Sequence, residues 1–204
     1  MCKNKPAAQR EFDEAAAALP GAGDQLFEFT AADPVTPSPY AKKEDWYFYV
    51  NGYKDAADFL LAYVATEGDP RKLGMPILFL YRQHLELALK GLVRDCRGLL
   101  GRDGVFPKTH RIDELWRLCC SLFHEISPSM ANNEEIQHTT RLMTDYCKVD
   151  PTSEAFRYPE GKDGNSPRLD VDIDLGTVGE VVGKISLLLD CMSTDVHTRR
   201  YDAF

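Results

Sequence analysis

The sequence predicts an all-α protein, an up-and-down bundle of about five main helices with a long loop before the last. Three observations carry that expectation. Apolar residues recur at the three-and-four spacing of an amphipathic helix through most of the chain. The breaks between such stretches are clusters of Gly, Pro, Asn and Asp. Only Val171, Ile173 and Leu175 alternate as a strand would, and no internal repeat appears. With 204 residues the chain is long enough for one domain with its own core.

Residues 1–43 read as a peripheral arm. REFDEAAAAL can form a short helix, PGAG stops it, and DPVTPSPY is a proline-punctuated linker. The bundle is expected over 44–197, with a polar tail at 198–204. The first main helix runs from Lys43 to Glu67 and sets Trp46, Tyr49, Val50, Tyr53, Ala57, Leu60, Leu61 and Val64 at core spacing. Gly52 costs about 1 kcal/mol against Ala inside a helix, so it is expected to mark close approach of a neighbouring helix.

The chain is organised around Asp69–Arg102. Asp69 suits an N-cap and Pro70 a first helical position. Gly74 and Pro76 predict either an irregular first turn or a start near Met75. Ile77, Tyr81, Ala88 and Leu92 form one apolar stripe, with Leu78, Leu85 and Leu89 beside it. The stripe is wide enough for a helix buried on more than one side. After a loop at 101–108, Thr109 is expected to cap a helix through Ile112, Leu115, Trp116, Cys119, Leu122, Phe123 and Ile126. SPSMANN breaks it, and Asn132 or Asn133 caps a helix through Ile136, Thr140, Met143, Tyr146 and Cys147. Residues 150–170 form a loop long enough to suggest a functional or mobile segment. The last helix is expected from about Thr177 to Met192.

The net charge of −8 excludes a protein that coats nucleic acid with its whole surface. Between Pro70 and Ile126, ten Lys or Arg face six Asp or Glu, so that segment carries +4 and the rest of the chain −12. A basic centre in an acidic shell suits an anionic ligand, and equally it balances the flanks. The six cysteines form no CxxC pair, and Cys96, Cys119, Cys147 and Cys191 read as reduced core residues. Neither a metal nor a cofactor is expected. No run of eighteen apolar residues occurs, and the N-terminus lacks the apolar core of a signal peptide, so a soluble, cytoplasmic protein with no membrane partner is expected. P-loop, dinucleotide-binding, zinc-protease and serine-hydrolase motifs are absent.

Several polar groups remain as candidates. Arg82, Glu86 and Lys90 repeat every four residues, either as a solvated salt-bridge row or as a phosphate-binding ridge. His84 lies about 200° around the helix from Arg82, as a satisfied core histidine or a proton carrier. His110 and Arg111, at a helix start, can fill the cap region or present imidazole and guanidinium to an anion. Arg157 and Tyr158, in PheArgTyrPro, bind phosphate or clamp Asp150 or Glu154. Arg117 and His124, seven apart, project from nearly one helix face, as an acid–base pair would or as chance spacing allows.

YRQHLELALKGLV at 81–93, THRIDELW at 109–116 and DPTSEAFRYPEGKDG at 150–164 resemble HEPN-like helical proteins (higher eukaryotes and prokaryotes nucleotide-binding) of bacterial defence and toxin–antitoxin settings. The resemblance covers roughly Trp46 to Met192. It implies a helical bundle, usually a homodimer, that binds RNA or a nucleotide and in many members cleaves RNA without a metal. The family signature is an Arg, four to six residues, then a His. Arg117 and His124 fit that spacing, with Leu118 where the family normally has a polar residue; Arg82 and His84 do not. The resemblance thus implies Arg117, His124 or His110 as catalytic groups, and Arg82, His84, Glu86, Lys90, Arg111, Arg157 and Tyr158 as ligand contacts. An antitoxin or larger effector is the implied protein partner. The alternative is a non-catalytic helical module that dimerises or docks an effector.

Overall fold

Asp69 caps the central helix as the sequence predicts: its side chain accepts from the Arg71 N–H, and Pro70 takes the first position. The helix runs without interruption as Pro70–Leu99, so Pro76 costs the ladder one N–H but does not delay the start. The computed structural model describes residues 46–130, 133–160 and 172–202, all within a unit spanning 41–204. The arm at 1–43 and the middle of the long loop lie outside the described residues.

Among the described residues five helices follow in order: α1 (Trp46–Thr66), α2 (Pro70–Leu99), α3 (Ile112–Ile126), α4 (Glu134–Val149) and α5 (Leu175–Asp202). A 3-10 turn, Pro128–Met130, joins α3 to α4. Among the described residues there is no strand, and the fold is an all-α bundle. The hub is α2, on which α1, α3 and α5 all pack, while α4 packs on α3. That arrangement explains why α2 buries residues all round, from Ile77, Tyr81 and Leu85 to Gly91, Val93 and Cys96. Ile112, Leu115, Trp116, Cys119, Leu122 and Phe123 of α3 face the same core, as do Val182, Ile185, Leu189 and Met192 of α5.

Polar tips of core aromatics are satisfied across helices. The Tyr81 hydroxyl donates to Asp58 at 2.7 Å, the Tyr146 hydroxyl to the Leu78 carbonyl at 2.9 Å, and the Trp116 indole to Thr140 at 2.8 Å. A glycine permits one close approach: a Cβ on Gly179 of α5 would lie 2.5 Å from Leu61 and 3.0 Å from the Tyr81 hydroxyl.

Several expectations need correction. Tyr49 is exposed, not core, because it sits about 100° around α1 from the inward Val50. Cys191 is exposed as well. Thr109 does not cap α3: its hydroxyl accepts from the Arg111 N–H in a turn before the helix, and Arg111 precedes Ile112 without a side-chain cap bond. The cap of α4 is as expected: Asn133, one of the two candidates, accepts from the Glu135 N–H. Of the expected extended piece, 172–174 is irregular and α5 already begins at Leu175; Val171 lies outside the described residues. The helix then continues through the expected polar tail to Asp202. Gly52 has no neighbouring helix near it, since a Cβ there would meet nothing within 4 Å.

Candidate functional site

The charged row of α2 is neither a solvated ladder nor an open ridge. Arg82 is 0% and Glu86 3% exposed. Arg82 Nη2 donates to the His110 carbonyl at 2.6 Å, and Nη1 to Glu86 Oε2 at 3.3 Å. Its Nε faces Asp150 Oδ2 at 2.8 Å but off line, so that contact is an ion pair rather than an aligned hydrogen bond. The other Asp150 oxygen accepts from the Glu154 and Ala155 N–H groups, which fixes the start of the long loop. Glu86 Oε1 receives both Lys90 Nζ and His110 Nδ1 at 2.8 Å. Two cations and two carboxylates thus balance in the interior, as buried charge requires.

His110 is the part of this network that reaches water. Its imidazole is 65% exposed, yet Nδ1 is held by the buried Glu86. A carboxylate acceptor makes Nδ1 the donor, which leaves Nε2 of the neutral ring as an outward acceptor. This is a carboxylate–imidazole dyad, a geometry suited to moving a proton at Nε2. ThrHisArg therefore does converge on Arg82, and so does the loop that carries PheArgTyrPro, through Asp150.

His84 belongs to another face. Its Nδ1 lies 2.9 Å from the Val50 carbonyl and Nε2 3.1 Å from the Ser186 hydroxyl. The carbonyl only accepts, so the ring is the neutral tautomer donating from Nδ1. Burial holds its pKa below the ordinary 6.5. The residue pins α1 and α5 to α2.

The remaining candidates are peripheral. Arg111 pairs with Asp113 at 2.8 Å and Glu114 at 3.0 Å. Arg117 is exposed and donates to the Asp113 carbonyl, and His124 lies exposed further along α3. Arg157 donates to the Ser153 carbonyl, and its guanidinium lies over the rings of Phe79 and Tyr158. It is Arg82, not Arg157, that pairs with Asp150.

A cleft of about 760 Å³ between α1, α2 and α5 escapes sequence reasoning altogether. Its lining includes Tyr47 of α1, Arg94 and Asp95 of α2, and Asp190, His197 and Arg200 of α5. Arg94 continues the row of α2, four residues beyond Lys90. Trp46 forms one wall and is firmly placed: its indole donates to the Leu87 carbonyl at 3.2 Å and stacks on Phe106 at 4.6 Å. Arg94 lies 5.5 Å from the indole centroid. The indole rests on Gly91, where a Cβ would sit 2.5 Å from its Nε1. Tyr47, by contrast, is 69% exposed and keeps an open ring. His197 Nε2 lies 3.8 Å from Asp95. With two arginines and two aspartates, the cleft is balanced in charge when His197 is neutral.

Among the described residues, no three His, Cys, Asp or Glu side chains are arranged to hold a metal ion. Burial pushes the Cys96 thiol up to about 12 and Cys120 to about 11, which keeps both protonated and poorly nucleophilic. No described helix is long and apolar enough to cross a membrane. Comparison with protein-family models, curated proteins and solved structures returns no significant match.

Proposed function

We propose that the protein is a HEPN-like nucleotide-binding bundle, with the cleft between α1, α2 and α5 as its binding site. The observation that carries this reading is the pairing, in one cleft, of the open Tyr47 ring with the Arg200 and Arg94 guanidinium groups and two carboxylates. A base would stack on Tyr47, a phosphate would meet Arg200, and ribose hydroxyls would donate to Asp95 or Asp190. The volume falls within the usual range for small-molecule sites. Balanced charge suits one nucleotide better than a run of RNA phosphates, whose binding needs a cationic track. Calorimetry of the full chain with nucleoside mono- and triphosphates at low ionic strength tests the reading. Binding is expected, with Tyr47→Ala and Arg200→Ala each weakening it about tenfold, as loss of one stacked base would. No heat with any nucleotide at millimolar concentration would refute it.

A second reading, metal-independent RNA cleavage, draws support from the Glu86–His110 dyad. In that reading His110 moves the proton and Glu86 positions it, while the resemblance puts His124 as the general acid/base and Arg117 as the stabiliser of charge developing on phosphate. RNA cleavage in EDTA separates the two assignments. His110→Ala abolishes activity if the dyad acts, and the Arg117→Ala/His124→Ala double variant abolishes it if the family spacing does. A defence or toxin–antitoxin setting with a protein partner follows from the resemblance alone.

A further inference from the structure

We propose, resting on the nucleotide reading of the cleft between α1, α2 and α5, that His197 takes up a proton as a phosphate enters it. On α5, Asp190, Ser193, His197 and Arg200 recur at three- and four-residue spacing and share the face that lines the cleft. His197 Nδ1 lies 2.8 Å from the Ser193 carbonyl, which only accepts, so the ring carries a hydrogen on Nδ1. The lone pair of the neutral ring is then on Nε2, 3.8 Å from Asp95 Oδ2. Two acceptors thus face each other, and a proton on Nε2 turns them into an ion pair. The same carboxylate serves α2 as well, since Asp95 Oδ1 accepts from Arg94 Nε at 3.0 Å.

With His197 neutral, Arg94 and Arg200 are matched by Asp95 and Asp190, and the cleft has no positive charge to spare for a phosphate. The titratable and charged groups that face His197 are Tyr47 from α1, Arg94 and Asp95 from α2, and Asp190 and Arg200 from α5 itself. Of the residue types present, imidazole alone ordinarily changes charge between about pH 5 and 8. The entering anion therefore draws its counter-charge as a proton on Nε2, where the cation meets both the phosphate and Asp95. The ring is half in water, so that proton exchanges without opening the fold. Linkage makes the effect reciprocal: if the nucleotide favours the protonated ring, the protonated ring favours the nucleotide. Binding tightens as pH falls.

Calorimetry of the full chain with adenosine monophosphate, in two buffers of unlike ionisation heat, counts the protons taken up. This nucleotide serves as the probe because stacking on Tyr47 tolerates any base. Comparison with His197→Gln subtracts the titration of the phosphate itself. At about pH 7 the wild type should take up about half a proton more than His197→Gln, and it should bind about threefold tighter than at about pH 8.5. His197→Gln should lose that tightening. His197→Lys, a fixed cation at the same place, should bind at least as tightly as the wild type at both pH values and show no extra uptake. Lysine would not rescue a purely structural role of the ring. Should His197→Gln fail to fold, wild type against His197→Lys gives the same proton difference. Binding with equal uptake in wild type and His197→Gln overturns the proposal and leaves the cleft reading standing, as does a His197→Lys that binds no better than His197→Gln. No heat with this nucleotide also overturns it, and no heat with any nucleotide removes the cleft reading as well.

Discussion

Arg82 is a guanidinium with no surface in water, and its three nitrogens each face a different acceptor on a different segment. Removing it takes the cation away from the buried Asp150 and leaves Glu86 to Lys90 and His110. Arg82→Met should therefore destabilise the fold by about 3–5 kcal/mol, measured as a lower urea midpoint. The spacing of Arg82, Glu86 and Lys90 is plain in the sequence, but its burial is not. The acceptor that draws Arg82 inward, Asp150, lies in a distant loop that no periodicity connects to α2. His84 carries a pH prediction. Burial lowers its folded pKa below 6.5, so the unfolded chain takes up its proton at higher pH than the folded one. The stability contributed by the neutral ring is complete above about 6.5 and drains away as pH falls below it. Thermal midpoints should be level near neutrality and fall below about pH 6.5, and His84→Gln should flatten the first part of that fall.

At the scale of the helices, glycine positions separate packing from propensity. Gly91 carries the Trp46 indole on its backbone, so Gly91→Ala should displace that ring and lower the melting temperature. Gly98, near the end of the same helix, meets nothing within 4 Å, and Gly98→Ala should stabilise by about 0.5–1 kcal/mol. Thermal melts of the two variants check the opposite signs. The course of α2 and α4 was legible because their apolar periods and caps agree, and that of α3 from its apolar period alone. The end of α5 was not. Its last turns read as polar, yet Val196 is buried there and Arg199 reaches Ser127 at 3.0 Å, tying the helix end to the end of α3. Tyr49 misled for the opposite reason: α1 is aromatic on both faces, so spacing alone does not identify the inward one.

For the molecule as a whole, the all-α class follows from periodicity, whereas the candidate cleft depends on the register of three helices. Tyr47, Arg94 and Arg200 are far apart in sequence and share no motif; only the packing of α1 and α5 on α2 brings them to one hollow. The central charged row was legible as a row, and one of its members, Glu86, turned out to hold the exposed His110. That dyad and the cleft make separate demands on a ligand: the first a proton to move, the second a base, a sugar and a phosphate to hold. A crystal structure of the full chain with a bound nucleoside monophosphate tests the central claim most directly. The account predicts the base on Tyr47 and the phosphate within hydrogen-bond distance of Arg200. A nucleotide seated instead along the Arg117–His124 face of α3, with the cleft empty, would contradict it.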